Sequence, residues 1–453
     1  MNTVIVDSVL TNAKAYLKER GQIVDCCIAI EEGKICKIGR EPQMPQADTK
    51  IDLHNLLVLP GLIDEHVHLR DEDRAYKEDF SSGTAAAAAG GFTTVLDMPN
   101  NDPVTMSKRR LQNRIGLAQR RLLVNVGFYS ELPKTLMEIK EIAEAGAVAF
   151  KLFLNGQVGG VNINDDAALV EALKAAADAD RLVAVHAEDN TMIAANEEKL
   201  KRAKRVAPIE YLRAHTEEVE LHAVQRLLKL TQDTGVQLHF LHISTAAAIE
   251  AIAAAKKEEQ KVTYEVTPNH LMLTSGEVDR YGGLAIMAPP LRDRMQADAL
   301  WKGIEDGTVD TLGSDHAPHT FEEKRASSVW EIKPGIPGLE VTLPLMITML
   351  RKNKLTINQL VALLAEKPAE IYGLTDRGQL KVGSNADLTI VDYNRSFKID
   401  PVKFKSKAKF SPYSGWEVYG KPAKTIVNGT LVYDEGDIVA KGGVGAIVRG
   451  GSV

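Results

Sequence analysis

Cysteine is scarce in this chain of 453 residues, and what there is sits badly for a structural role. There are three, Cys26, Cys27 and Cys36, all close to the start. An odd, clustered set with no Cys-x-x-Cys spacing excludes a disulfide framework. Cys26 and Cys27 are adjacent and leave opposite sides of a predicted strand, which argues against a thiolate metal site. Such usage places the protein in a reducing cytoplasm. A basic excess is missing as well. The 55 Lys and Arg against 61 Asp and Glu give a net charge of -6, the wrong sign for a general nucleic-acid binder. No apolar run approaches the ~18 residues that a membrane span needs. The first residues lack the charged head and long apolar middle of a signal peptide.

What the chain does have is texture that changes twice. Residues 1–59 read as short β segments (Thr3–Val6, Cys27–Glu31, Lys34–Ile38, Leu56–Val58) punctuated by Gly33, Gly39, Pro42 and Pro45, with one weak helical period near Thr11–Lys18. From Pro60, apolar β-branched runs alternate with alanine- and charge-rich stretches. Eight strands are predicted: Leu62–Val67, Thr93–Asp97, Leu122–Phe128, Val148–Leu152, Leu182–His186, Gln237–His242, Val262–Val266 and Val309–Gly313. Helices are predicted between them, among others at Phe80–Ala89, Lys134–Ala145, Asp165–Ala179, Glu217–Thr231, Ala246–Lys257 and Gln296–Glu305, with two more near Leu343–Arg351 and Ile357–Leu364. Repeated β-α units of this number fit a (β/α)8 barrel over residues 60–375. An open doubly wound sheet is the alternative, but no Gly-x-Gly-x-x-Gly follows the first barrel strand. After residue 375 the β texture returns at Gln379–Val382, Ala386–Val391, Lys424–Val427 and Gly429–Tyr433. Residues 1–59 and 376–453 are each too poor in strands to stand alone, so they are expected to pair as one small β-sandwich.

Catalytic side chains of such a barrel gather where the strands end. His66 and His68 end the first strand with i, i+2 spacing, so both leave one face. His186 ends the fifth strand, His242 the sixth, and Asp315 follows the eighth. Four imidazoles and a carboxylate on one rim form a nitrogen/oxygen set suited to zinc or another divalent metal. Lys151 ends the fourth strand inside an apolar run. Two readings of it stay open: a rim lysine reaching solvent, or a desolvated amine that reacts with CO2 and bridges two metals as a carbamate. Of the remaining histidines, His239 has the opposite parity to His242 and is expected to face the helix layer. His54, His215 and His222 are expected at the surface, and His270 lies where it can support a ligand. His316 stays open between loop packing and such support.

These residues sit in stretches that resemble the cyclic amidohydrolases, most closely the long dihydroorotases. The likeness runs through Gly61–Arg70, Gly90–Asn101, Phe150–Asn155, His186–Glu188, His242–Ser244, Thr267–His270 and Asp315–Lys324, and so over nearly the whole chain. The resemblance implies two divalent ions, most simply zinc, one on His66, His68 and Asp315 and the other on His186 and His242, bridged by carbamylated Lys151. Asp315 becomes the general base and then the general acid. Arg70, Asn100 and His319 resemble the family's binders of the substrate carboxylate and ring. A guanidinium suits the carboxylate beside the dihydroorotate ring, and the alternative for Arg70 is a structural salt bridge to Asp71 or Glu78. The implied reaction interconverts dihydroorotate and N-carbamoyl-L-aspartate in pyrimidine synthesis.

The implied partner is this small molecule, with a homodimer and association with aspartate transcarbamoylase compatible with it. Neither nucleic acid nor membrane is called for. Ala288 departs from the pattern, since many dihydroorotases have a polar residue before the Pro-Pro pair, and Arg292 is a candidate to compensate. Allantoinase or a hydantoin-type hydrolase is therefore the rival activity, and a non-catalytic scaffold the rival class. The Lys-rich run Lys403–Phe410 reads as a solvated surface segment, and Gly156, Gly159 and Gly160 as a rim loop over the substrate.

Overall fold

The computed structural model describes residues 5–157 and 159–451. Thr3 and Val4 of the first predicted strand lie outside them. The barrel strands are β1 (Leu62–Val67), β2 (Phe92–Asp97), β3 (Asn125–Phe128), β4 (Phe150–Phe153), β5 (Val183–His186), β6 (Leu238–Phe240), β7 (Val262–Val266) and β8 (Thr311–Leu312). All neighbours pair in parallel. Ser130–Glu131 carries the sheet from β3 to β4, and a parallel bridge between Val67 and His316 closes β8 onto β1. Intervening helices open on Asp, Ser or Thr side chains that accept backbone N–H groups: Asp79, Ser107, Asp165, Asp189, Thr245 and Asp293. Each cap follows a strand's carboxyl end, so these turns build the rim of the mouth.

Both chain ends form one nine-stranded sheet, the sandwich beside the barrel. Its seam is Leu57–Pro60, antiparallel to Leu388–Val391. Leu10, Ala13, Ala15, Ile28, Val58, Leu388 and Ile426 belong to its separate core. Helical period near Thr11–Lys18 misleads, because Ile5–Leu17 is a single strand. Thr11, Ala13 and Ala15 are buried while Asn12 and Lys14 are exposed, so packing with period two overrides the helix propensity of Ala and Lys. Gln379–Val382 forms turns, not a strand. The eighth strand shortens from the expected five residues to Thr311–Leu312. Near the end of the chain, Ile447–Val448 leaves the sandwich and pairs with Val126–Gly127 of β3. Among the described residues, no helix is long and apolar enough to cross a membrane.

Candidate metal centre

The mouth of the barrel is a cleft of about 280 Å³, and His66, His68, Lys151, His186, His242 and Asp315 all line it. Donor atoms of His66, His68 and Asp315 lie within 4.8 Å of one another. Asp315 Oδ1 is 3.3 Å from His66 Nε2 and 3.2 Å from His68 Nε2. The His242 ring centroid is 5.2 Å from that of His66 and 4.5 Å from that of His186, which joins the second pair to the first group.

Three of the imidazoles have one nitrogen tied to an oxygen behind them. His66 Nδ1 donates to Glu265 Oε1 at 2.9 Å, and His68 Nδ1 donates to Asn100 Oδ1 at 2.7 Å. His186 Nε2 is 2.7 Å from Glu188 Oε2. Such partners fix the tautomer and leave the other nitrogen's lone pair for a cation. Burial pulls the His66 pKa down to about 3, and that of His68 and His242 well below the ordinary value, so all three are neutral at neutral pH, the form in which an imidazole can bind a cation. His242 Nδ1 and Lys151 Nζ are buried without a hydrogen-bond partner. Burial also brings the Lys151 amine down to about 7, against the nearby carboxylates of Asp315, Glu265 and Glu131. Orphaned buried donors beside oriented imidazoles and a carboxylate fit a divalent metal.

The backbone aims these groups. Arg70, His242 and Asp315 have φ of 57°, 40° and 45°, the left-handed region that non-glycine residues avoid. Such positions store about 1–3 kcal/mol each and persist only where the surroundings hold them. This is why strand parity failed for His239. The strand ends at Phe240, and the turn at His242 swings that residue to the mouth. His239 faces the barrel interior, not the helix layer: its Nε2 is 3.4 Å from Thr311 Oγ1 of β8 and 3.9 Å from Glu65 Oε1 of β1.

Arg70 is buried on the cleft wall with Asn100 and Arg74. Its Nη1 is 3.4 Å from Asn100 Oδ1, its Nη2 3.4 Å from His319 Nε2, and its Nε has no partner. The structural salt bridges expected as alternatives do not form. Asp71 pairs with Arg121, while Glu78 binds Ser82, Ser406 and His316. Burial, helped by the nearby Arg74, lowers the Arg70 pKa to about 10, still protonated at neutral pH. His319 stands behind Arg70, outside the lining of the cleft, and receives a hydrogen bond from Lys77. Ala288 is on the lining. Arg292 is not, since it binds the Ser244 hydroxyl and the His215 carbonyl, so it does not compensate there.

Several partners escaped the sequence reading. His215 is buried, not at the surface, and its Nδ1 is 2.8 Å from Glu188 Oε1. Glu188 stands two residues after His186, the same i, i+2 signal that marked His66 and His68. Glu265 had a weaker mark, a lone carboxylate in the apolar run Val262–Val266. His270 bonds Thr267 and the Pro289 carbonyl, and His316 accepts the amides of Gly338 and Leu339 at the start of the helix Leu339–Arg351.

A profile of the amidohydrolase family matches residues 57–432. A dihydroorotase of Bacillus cytotoxicus is 37% identical over 429 residues, 93% of this chain and 97% of that protein. An L-hydantoinase of Paenarthrobacter aurescens is 35% identical over 433 residues, 94% of each chain. The solved L-hydantoinase (dihydropyrimidinase) of Arthrobacter aurescens superposes with a TM-score of 0.93 at 33% identity, covering 98% of this chain and 100% of that one. The chain belongs to the amidohydrolase family, as a metal-dependent hydrolase of cyclic amides.

Proposed function

We propose that the protein interconverts dihydroorotate and N-carbamoyl-L-aspartate. The observation that carries this reading is Arg70, a guanidinium buried on the cleft wall with no carboxylate partner among the described residues. A buried cation without a counter-ion is costly. A substrate carboxylate beside the ring supplies that counter-ion, and hydantoin and allantoin have none.

In this proposal His66, His68 and Asp315 would hold one ion and His186 and His242 the second, with Lys151, carbamylated by CO2, as the group that would join them. The nitrogen/oxygen donors suit zinc. Two divalent ions there supply Lewis acidity toward the ring carbonyl and acidify the attacking water. Asp315 takes the proton from the water and returns it to the ring nitrogen as the amide opens; in the cyclising direction the same carboxylate runs the transfer backwards. Glu265, Glu188 and Asn100 keep the imidazoles in register. Arg70 and Asn100 receive the substrate carboxylate, and His319 packs behind the guanidinium, with Nδ1 accepting from Lys77 and Nε2 donating to the Pro334 carbonyl. A homodimer and association with aspartate transcarbamoylase extend the proposal, and light scattering of the protein alone and mixed with that enzyme tests both.

Turnover of purified, metal-loaded protein on dihydroorotate, hydantoin and allantoin is the test. Activity on the last two alone would sink the proposal. Charge-assisted hydrogen bonds contribute about 1.5–3 kcal/mol. Arg70→Ala is therefore expected to lower kcat/KM for dihydroorotate roughly 10- to 150-fold, with little change on any hydantoin the enzyme accepts. One feature favours a ring without a carboxylate: Ala288 on the cleft wall has no side-chain donor to offer. The same three-substrate comparison decides between them.

A further inference from the structure

Beneath the metal centre, on the barrel axis, lies a second set of donors that this reaction does not use. Glu65 of β1, His239 of β6 and Glu265 of β7 are fully buried, and one donor atom from each lies within 4.8 Å of the others. Neither oxygen of Glu65 has a hydrogen-bond partner, and neither does Oε2 of Glu265. Among the described residues, no lysine or arginine forms an ion pair with either glutamate.

The Thr263 hydroxyl lies 2.8 Å from His239 Nδ1 and 3.3 Å from the Leu238 carbonyl. A cation on Nε2 requires the hydroxyl to give its proton to that carbonyl and to accept from Nδ1. A neutral imidazole protonated on Nδ1 has its lone pair on Nε2. That lone pair meets the Thr311 hydroxyl at 3.4 Å and lies 3.9 Å from Glu65 Oε1. Three electron-rich groups thus converge in the dry interior, where uncompensated carboxylates are expensive. An imidazole braced on Nδ1 by a hydroxyl and open on Nε2 is also how metal-binding histidines are held.

We propose that Glu65, His239 and Glu265 form a third cation site, which takes a divalent ion of the zinc class through His239 Nε2 and one oxygen of each glutamate. Zinc bonds of about 2.0–2.2 Å require the donors to draw in by roughly an ångström. The ion is structural. Glu265 Oε1 already binds His66 Nδ1 at 2.9 Å and the His242 amide at 3.0 Å, so an ion on its other oxygen braces two residues of the centre above. Thr263 and Tyr372, which both touch His239, also line a cavity of about 450 Å³ at the opposite end of the barrel.

Zinc-saturated full-length protein, freed of excess metal by gel filtration, is compared with His239→Val by elemental analysis, and wild-type crystals are measured at the zinc absorption edge. The wild type is expected to hold one zinc more per chain than the variant, with an anomalous peak between Glu65, His239 and Glu265. Equal metal contents overturn the proposal, and so do anomalous peaks confined to the mouth. Should His239→Val not fold, the wild-type anomalous map decides alone. The paired centre is counted separately in the same map, so loss of the axial peak is distinct from failure of the catalytic reading.

Discussion

Glu188 shows how much of this site is made by residues that never face the cleft. Its two oxygens hold His186 at 2.7 Å and His215 at 2.8 Å, and these two partners keep its carboxyl far below the ordinary carboxylate range despite burial. Glu188→Ala frees both imidazoles, and His186 then samples rotamers that do not point at the centre. Loss of such a partner typically weakens metal affinity about 10- to 100-fold. Competition against a zinc chelator is expected to show that drop, and unchanged affinity would mean that His186 is held by packing alone. Histidines at strand ends were legible because side chains alternate with period two along a strand. That rule broke where the chain left the strand, at His242, and it carried His239 to the wrong side with it. Glu265 is 199 positions from His66, and nothing local in either stretch announces their contact.

The turn after β1 is where an element does the work of a residue. Arg70, Asp71 and Glu72 follow one another in the left-handed region, with φ of 57°, 55° and 49°. Arg114, from the helix Lys108–Ala118, holds them there. Its guanidinium reaches Asp97 Oδ2 at 2.6 Å, Glu72 Oε2 at 2.8 Å and the Arg70 carbonyl at 3.0 Å, and it is 1% exposed. Removing one partner of a buried, paired charge costs about 3–5 kcal/mol. Arg114→Ala is expected to lose that much in urea unfolding and, on the proposed function, to raise KM for dihydroorotate, because Arg70 loses its anchor. Arg114→Lys restores little, since an ammonium lacks the planar fork that serves three acceptors. Helices such as Phe80–Ala89 and Ala246–Lys257 were legible from alanine-rich runs between apolar strands. The basic stretch Lys108–Ala118 was not, because its inward arginine looks like its solvated ones in sequence.

On the scale of the whole molecule, the two ends are joined to the barrel by more than the seam at Leu57–Pro60. That seam was legible, since neither end had strands enough alone. The run Lys403–Phe410, expected to be a solvated surface segment, lies as a strap across the barrel instead. Lys407 pairs with Asp79 at 2.6 Å, and Phe410 packs on Phe321 with ring centroids 5.7 Å apart. Its amides at Lys405 and Ser406 donate to Glu340 Oε1 at 2.7 and 3.0 Å, on the helix Leu339–Arg351. Lysines alternate here with Phe404, Ser406, Ala408 and Phe410, and the second set is buried, so a period-two mark was present in the chain. What local sequence did not announce was the distant groups, Asp79, Glu340 and Phe321, on which the segment docks.

Glu340 makes the strap sensitive to pH. Burial pushes its carboxyl from the ordinary 4.5 up to about 8, with Glu78 adding to the rise and the two amides opposing it. Between those values the folded protein binds a proton that the unfolded chain has released. Its contribution to stability is full below about pH 4.5 and is lost as the pH climbs through about 8. Glu340→Gln keeps a carbonyl for the two amides and removes the titration. Relative to wild type, the variant is expected to gain on the order of 4 kcal/mol between about pH 5 and about pH 9. Thermal unfolding at both values measures it: the Tm difference should grow in favour of the variant as the pH rises. Parallel Tm curves would show that the strap's amides, not burial, set the charge on Glu340.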